Sequence, residues 1–333
     1  MTGMMSEALQ AGDRSEVIRG ALVRRRSPSE DRFGELTHYA MAMPGKLLRP
    51  LMLVTSAEAV GGVAETALPA AVAVEHLHVA SLVHDDIIDG DELRRGRPSV
   101  QARYGVADAI VTGDALLFDL FAAVAECPAP AEVVVAVVDE FARAGGDLCR
   151  GQVLESLMTP PSAAGPGSRL EDYLDVAALK TAALFRAACR AGALLGGGSA
   201  EQADLLGDYG HHIGVAFQMY DDLLPYLDSG ESGKPDVSDA ANLRPTWPVL
   251  IAHRDGRREH REAVEIALSG TLDPAETLES LRHAVVGSGA LSTARSLARE
   301  RSRIAVARLP ELPGTVAAER LSRIAEIAVD RDH

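Results

Sequence analysis

Cysteine is scarce in this sequence. Cys127, Cys149 and Cys189 are isolated, odd in number and without the close spacing of a pair, which argues against a disulfide framework or a thiolate zinc site. They read as buried helix residues. No charged-then-apolar leader opens the chain, and no stretch approaches the ~20 consecutive apolar residues of a membrane span, so the expectation is a cytoplasmic protein. Positive charge is short as well: 33 Lys and Arg face 48 Asp and Glu, a net charge of −15. That excludes the clustered cationic surface on which nucleic-acid binding draws. The apolar–polar alternation of a half-buried strand is missing. So is any Gly/Ser- or Pro-rich linker that would divide the 333 residues; the clearest break, at 159–168, is short enough to join two helices.

Helical periodicity is what remains. Apolar residues recur at three- and four-residue intervals over 47–60, 66–89, 107–126, 131–157, 170–196 and 201–224, with Gly or Pro between the runs, and this predicts long helices. From about 258 the chain turns rich in Ala, Leu, Glu and Arg and continues as shorter amphipathic helices on the outside of a bundle. The expectation is an all-α fold in one domain spanning 16–333, after a poorly ordered start at 1–15.

Two aspartate clusters stand out against this apolar background, Asp85-Asp86-Ile87-Ile88-Asp89 and Asp221-Asp222-Leu223-Leu224-Pro225, each closing an apolar helical run. Asp85 and Asp89 share a helix face, with Asp86 to the side. His78 lies on the same stripe, with Asp85 and Asp89 about 20° to either side of it. A polar stripe on an otherwise apolar helix must line an internal cavity. Buried carboxylates without compensation cost on the order of several kcal/mol each, so a cation is required. Hard oxygen donors with no Cys or His among them favour Mg²⁺ over Zn²⁺. Arg94-Arg95-Gly96-Arg97-Pro98 follows within a few residues, and guanidinium forks suit phosphate oxygens. An acidic chain can hold an anion only through metal or a local basic patch; Lys46, Arg49, Arg94, Arg95, Lys180, Lys234 and Arg244 are the candidate cations.

These residues resemble a known family. His84-Asp85-Asp86-Ile87-Ile88-Asp89 with the arginines after it is similar to the first aspartate-rich motif of trans-type polyprenyl diphosphate synthases. Gly45-Lys46-Leu47-Leu48-Arg49-Pro50, Gly151-Gln152, Lys180-Thr181-Ala182-Ala183-Leu184-Phe185, Phe217-Gln218-Met219-Tyr220-Asp221-Asp222, Gly233-Lys234-Pro235 and the stretch from Asp239 through Arg244-Pro245-Thr246-Trp247-Pro248 resemble its other blocks, in the same order. The resemblance, to geranylgeranyl diphosphate synthases in particular, implies the isoprenoid synthase type I fold, a single large antiparallel helical bundle with a central cavity, and a homodimer. It implies condensation of an allylic diphosphate with isopentenyl diphosphate. It assigns Asp85, Asp89 and Asp221 to Mg²⁺, with Asp86 and Asp222 supporting them. Arg94, Lys180 and Lys234 are implied to hold the allylic diphosphate, and Lys46, Arg49, His78 and Arg95 the isopentenyl diphosphate without metal. Thr181 and Gln218 are implied to sit beside the carbocation.

Two departures from the family pattern matter. Pro225 replaces a third aspartate and should kink or end its helix near Asp221, and Arg244 stands where lysine is usual. Two other readings stay open: a terpene cyclase on the same fold, for which the Lys46, Arg49, His78 and Arg95 set has no purpose, and a noncatalytic partner subunit, against which the intact first motif weighs. Product length is not fixed. Ala80 and Ser81, one turn before Asp85, are small and leave the tunnel open there, while Phe118 and Phe121 could form a deeper floor. His211-His212 and Trp247 read as structural.

Overall fold

The computed structural model describes residues 14–25, 31–42, 45–162, 167–227 and 238–329. Helices α1 (Arg14–Arg25), α2 (Arg32–Met41), α3 (Leu48–Ala59) and the long α4 (Ala64–Asp89) come first. A small hairpin, β1 (Leu93–Arg94) and β2 (Arg97–Pro98), precedes α5 (Val100–Tyr104), α6 (Val106–Ala125) and α7 (Ala131–Ser156). Then follow α8 (Leu170–Val176), a π-helical turn (Ala177–Ala182), α9 (Ala183–Leu195) and α10 (Ala200–Asp221). The remainder is α11 (Ser238–Ala241), α12 (Trp247–Asp255), α13 (Arg258–Ala267), α14 (Pro274–Gly287), α15 (Ala290–Val306) and α16 (Thr315–Val329).

The fold is all-α, and the periodic runs become helices nearly end for end. The hairpin is the one departure. Arg95 and Gly96 have φ of 53° and 76°, the left-handed pair that a two-residue hairpin loop needs, and Arg94 pairs with Arg97 across it. No alternation announces strands this short. At the far end of the site α10 stops at Asp221, short of the apolar run, and Pro225 sits in the 3₁₀ turn Leu224–Tyr226 that follows, where its missing N–H breaks no helical bond.

Helix α4 is the centre of the bundle, packed on α3, α6 and α9, while α9 in turn packs on α3, α7 and α10. Ala67, Ala70, Ala71, Ala73 and Ala80 on α4 have no accessible surface; small side chains let its neighbours close in. By length and composition α4 is apolar enough to cross a membrane, but most of it is bundle core. Gly192 marks the tightest crossing: a Cβ there would lie 2.0 Å from the Leu53 carbonyl oxygen, so α9 meets α3 backbone to backbone. Of the C-terminal helices, α15 packs on α10 and α16 on α3, as outer layers.

One sequence expectation falls outside the described residues and one needs correction. Residues 1–13 of the expected poorly ordered start lie outside the described residues; Arg14 and Ser15 begin α1, and that helix is anchored: Arg25 donates to Asp119 at 2.7 Å and 2.8 Å, and His76 Nδ1 lies 2.9 Å from the same carboxylate. Although burial opposes it, His76 and Arg25 hold the Asp119 carboxyl well below the usual range. Cys149 is exposed on α7, while Cys127 and Cys189 are buried, because α7 turns that face away from its neighbours.

Candidate active site

The C-terminal end of α4, the end of α7, the π turn and the approach to α12 meet around one carboxylate group. Lys180 Nζ donates to Glu155 at 2.5 Å and lies 3.6 Å from Asp85. Arg244 donates to Asp89 at 2.5 Å, with Asp239 at 3.4 Å and Glu155 at 3.8 Å. Glu155 therefore stands between the two cations and belongs to the site, although the sequence reading passed over it. Its signal was available: Glu155 lies four residues after Gly151, on the same face of α7.

Charge explains the protonation behaviour here. Burial pushes the Asp85 carboxyl up; Asp89 and Glu155 add to that, while Lys180 and Arg244 oppose it. Against burial, Glu155, Asp89 and Asp239 push the Arg244 guanidinium well up. Arginine in place of lysine thus binds several carboxylates at once through its fork.

Lys180 owes its position to local backbone. It sits in the π-helical turn, a feature that bulges a helix and recurs at functional sites. Gly151 allows α7 to press against that bulge: a Cβ at Gly151 would lie 2.5 Å from the Lys180 amide nitrogen. This is a physical reason for the glycine of the Gly151-Gln152 pair.

The second carboxylate of each cluster is turned inward. Asp86 is 3% exposed and accepts from Arg94 Nε at 2.7 Å, which fixes the guanidinium beside Asp91 at 3.0 Å. Asp222 is likewise buried. It accepts from the Trp247 backbone N–H at 3.1 Å and from Gln218 Nε2 at 2.8 Å, and Gln218 Oε1 accepts from the Thr181 hydroxyl at 2.8 Å. Burial and Asp239 push the Asp222 carboxyl up; the Trp247 amide, Tyr173 and Gln218 oppose them. The Trp247 amide ties α12 to the end of α10.

A second basic group lies between α3, α4 and the hairpin. Arg49 Nη1 approaches His78 Nε2 at 3.2 Å, and its guanidinium carbon stands 4.3 Å above the Phe185 ring, in cation–π contact. Burial lowers the His78 pKa well below its ordinary value, helped by Arg49, Arg95 and Arg94, so the neutral ring accepts from Arg49. Arg95 closes over Gly45: a Cβ there would lie 2.5 Å from Arg95 Nη2. That brings the hairpin arginine beside the segment carrying Lys46. Leu47, at φ 54°, then turns the chain into α3. Lys234 lies outside the described residues, as does Gly233-Lys234-Pro235 as a whole.

The donor set suits Mg²⁺. Asp85, Asp89 and Asp221 offer hard oxygens, and the mutual repulsion among Asp85, Asp89 and Glu155 creates the demand for a cation. Among the described residues no three carboxylate, His or Cys groups close into a metal cage. Mg²⁺ is characteristically held by one or two carboxylates, with substrate phosphates and water completing the shell.

Farther down α4, a cavity of about 430 Å³ opens between α4, α6 and α7. Its walls include Leu77, Phe118, Phe121, Phe141 and Gly145. Leu77, Ser81 and Asp85 follow at four-residue spacing on one helix face. Ala80 lies off that face with no accessible surface.

A helical bundle with carboxylates at one end, cations around them and an apolar cavity farther down α4 has the layout of a class of enzymes suited to diphosphates of apolar chains. The comparisons narrow that class. The polyprenyl synthetase sequence family matches residues 30–284. The short chain isoprenyl diphosphate synthase of Methanothermobacter thermautotrophicus is 37% identical over 87% of this chain and 87% of its own length. The octaprenyl diphosphate synthase of Escherichia coli is 31% identical over 95% of each. The crystal structure of a polyprenyl synthase from Caulobacter crescentus, complexed with calcium and isoprenyl diphosphate, superposes with a TM-score of 0.87 at 30% identity, covering 100% of this chain and 99% of that one. The chain belongs to the polyprenyl synthetase family, enzymes that transfer prenyl groups.

The close approach at Gly151 yields a test. Gly151→Ala should displace the π turn and with it Lys180, lowering turnover by ~10–100-fold, the scale of a 1 Å misplacement. Circular dichroism should remain helical. Wild-type turnover in the alanine variant would show that the approach does not set the lysine's position.

Proposed function

We propose that this enzyme is a Mg²⁺-dependent trans-prenyltransferase, a cytoplasmic homodimer that joins isopentenyl diphosphate to an allylic diphosphate (dimethylallyl, geranyl or farnesyl) and makes an all-trans product of geranylgeranyl length or longer. The observation that carries this reading is the presence of two charged groups of opposite build. One is rich in carboxylates and is suited to a diphosphate that arrives with metal. The other, Arg49, Arg95 and His78 beside Lys46, is suited to a diphosphate bound by cations alone. A cyclase has no use for the second.

In this reading Arg94, held by Asp86, and Lys180, held by Glu155, bind the allylic diphosphate, with Lys234 joining them and Arg244 bracing Asp89. Asp85, Asp89 and Asp221 hold the metal. Mg²⁺, when bound, supplies charge stabilisation for the departing diphosphate. The allylic C–O bond breaks with its electron pair going to the leaving group; the double bond of isopentenyl diphosphate attacks the cation, and a proton then leaves to restore a double bond. Thr181 and Gln218 present uncharged dipoles near that cation, oriented by the bonds running to Asp222. Their neutrality stabilises the cation without capturing it.

Replacing Asp85 by Ala should lower turnover by ~10²–10³, the scale of one lost transition-state contact, with the fold intact; near-normal Mg²⁺-dependent turnover in that variant would refute the metal assignment. Arg49→Ala should raise the KM for isopentenyl diphosphate far more than that for the allylic primer. Equal effects on both, or hydrocarbon formed with no isopentenyl diphosphate consumed, would favour a cyclase.

The cavity below Ser81 supports a long product. Ser81→Phe narrows its entrance, and over-filling costs ~1–3 kcal/mol, so each further extension should slow about tenfold and products shorten toward farnesyl length. Phe118→Ala or Phe121→Ala should lengthen them. Chromatography of the products decides, and an unchanged distribution in all three variants would detach product length from this cavity.

The homodimer is supported by α6, which leaves Ile110, Val111, Phe118 and Phe121 exposed at 45–74%, an apolar face of the kind that marks an interface. Light scattering should report two chains per particle. A monomer across micromolar concentrations would contradict it.

A further inference from the structure

Helix α4 delivers Asp85, Asp86 and Asp89 at its C-terminal end, where the helix dipole is negative, and its last turn holds no basic residue. The last carbonyls of a helix also need donors. Gln101, half-buried on α5, supplies them: its Nε2 donates to the Asp86 carbonyl at 2.7 Å and to the Asp91 carbonyl at 3.0 Å. Only the NH₂ end of the amide can serve two carbonyls at once. The Ser99 hydroxyl donates a further bond to the Asp91 carbonyl at 2.7 Å, and accepts from the Ala102 N–H at 3.2 Å as the N-cap of α5. Gly90, at φ 70°, turns the chain between the two carbonyls. The turn so clasped runs from Asp86 to Asp91, the two residues whose side chains hold Arg94, at 2.7 Å and 3.0 Å. It also contains Asp89, which accepts from Arg244.

We propose that Gln101 is a positioning residue for the allylic diphosphate: by clasping both ends of the Asp86–Asp91 turn it holds Arg94 where that diphosphate binds. The proposal rests on the allylic-site reading given above. Gln101 acts through two backbone carbonyls, not on the reacting atoms. A helix cap and a positioning residue make different predictions. Were Gln101 only a cap, its loss would lower the melting temperature and leave both diphosphates bound as before. If it positions the turn, its loss frees Arg94 and weakens the allylic ligand selectively. The acceptor arginines are held elsewhere, Arg95 against Gly45 and Arg49 by His78 and the Phe185 ring.

The experiment is calorimetric titration of a non-reactive allylic diphosphate analogue, with Mg²⁺ present, into the full chain carrying Gln101→Met, which keeps the length of the side chain and removes its N–H groups. The Kd of the analogue should rise ~10-fold or more, on the scale of a misplaced binding group, while that of isopentenyl diphosphate stays within about threefold. A lowered melting temperature with both Kd values unchanged overturns the proposal and leaves Gln101 a cap. An equal rise in both Kd values overturns it too. The double variant with Arg94→Gln should be markedly less than additive, as expected for residues acting as a unit; additivity overturns it. Arg94→Gln alone separates the two readings: if that variant binds the analogue as the parent chain does, the allylic site itself is misassigned. Should Gln101→Met fail to fold, Ser99→Ala decides, since it removes the hydroxyl bond to Asp91 and leaves the Gln101 amide in place. A selective rise in the Kd of the analogue supports positioning by the clasp, and two unchanged values overturn it.

Discussion

The charge balance at the end of α4 governs the rest of the structure. Asp85, Asp89 and Glu155 crowd together from two helices, and Lys180 and Arg244 reach in from the π turn and from the segment before α12 to meet them. Each unusual feature nearby serves that meeting. The π bulge turns Lys180 toward Asp85, and Gly151 lets α7 press close enough to bring Glu155 within reach. Pro225 sits in the 3₁₀ turn that follows the end of α10. A carboxylate cluster of this kind stays open to further positive charge, the property that the proposed metal-borne diphosphate would use.

The paired aspartates divide their work by burial. In each motif one member is turned into the protein and holds scaffold: Asp86 braces Arg94, and Asp222 ties the ends of α10 and α12 together through the Trp247 amide. Asp85 and Asp89 remain half-buried, paired with Lys180 and Arg244. Asp222 further orients Gln218 and, through it, Thr181. One carboxylate thereby orders both the start of α12 and the uncharged dipoles beside the proposed cation path.

Much of this was legible in the residue pattern. Apolar spacing carries the helices because burial of one face dictates it, and the Asp85 and Asp89 pair marks where cations must gather because buried carboxylates need them. Other features were hidden. The hairpin at Leu93–Pro98 depends on two left-handed residues rather than on alternation. The π turn packs against Gly151, a contact between segments that periodicity cannot express. Glu155 looks like one more acid on an acidic helix until the fold brings Lys180 and Arg244 to it. Where one helix determines a position, the sequence reads clearly; where two segments meet, it does not.

The account makes the two diphosphate sites physically unlike, one dependent on metal and one built from arginines. Calorimetric binding of each diphosphate separately, with Mg²⁺ and then with a chelator, examines that difference directly. The account predicts that a non-reactive allylic diphosphate analogue loses its binding when Mg²⁺ is removed, while isopentenyl diphosphate binds with little change. Equal dependence of both ligands on Mg²⁺, or independence of both, would contradict it.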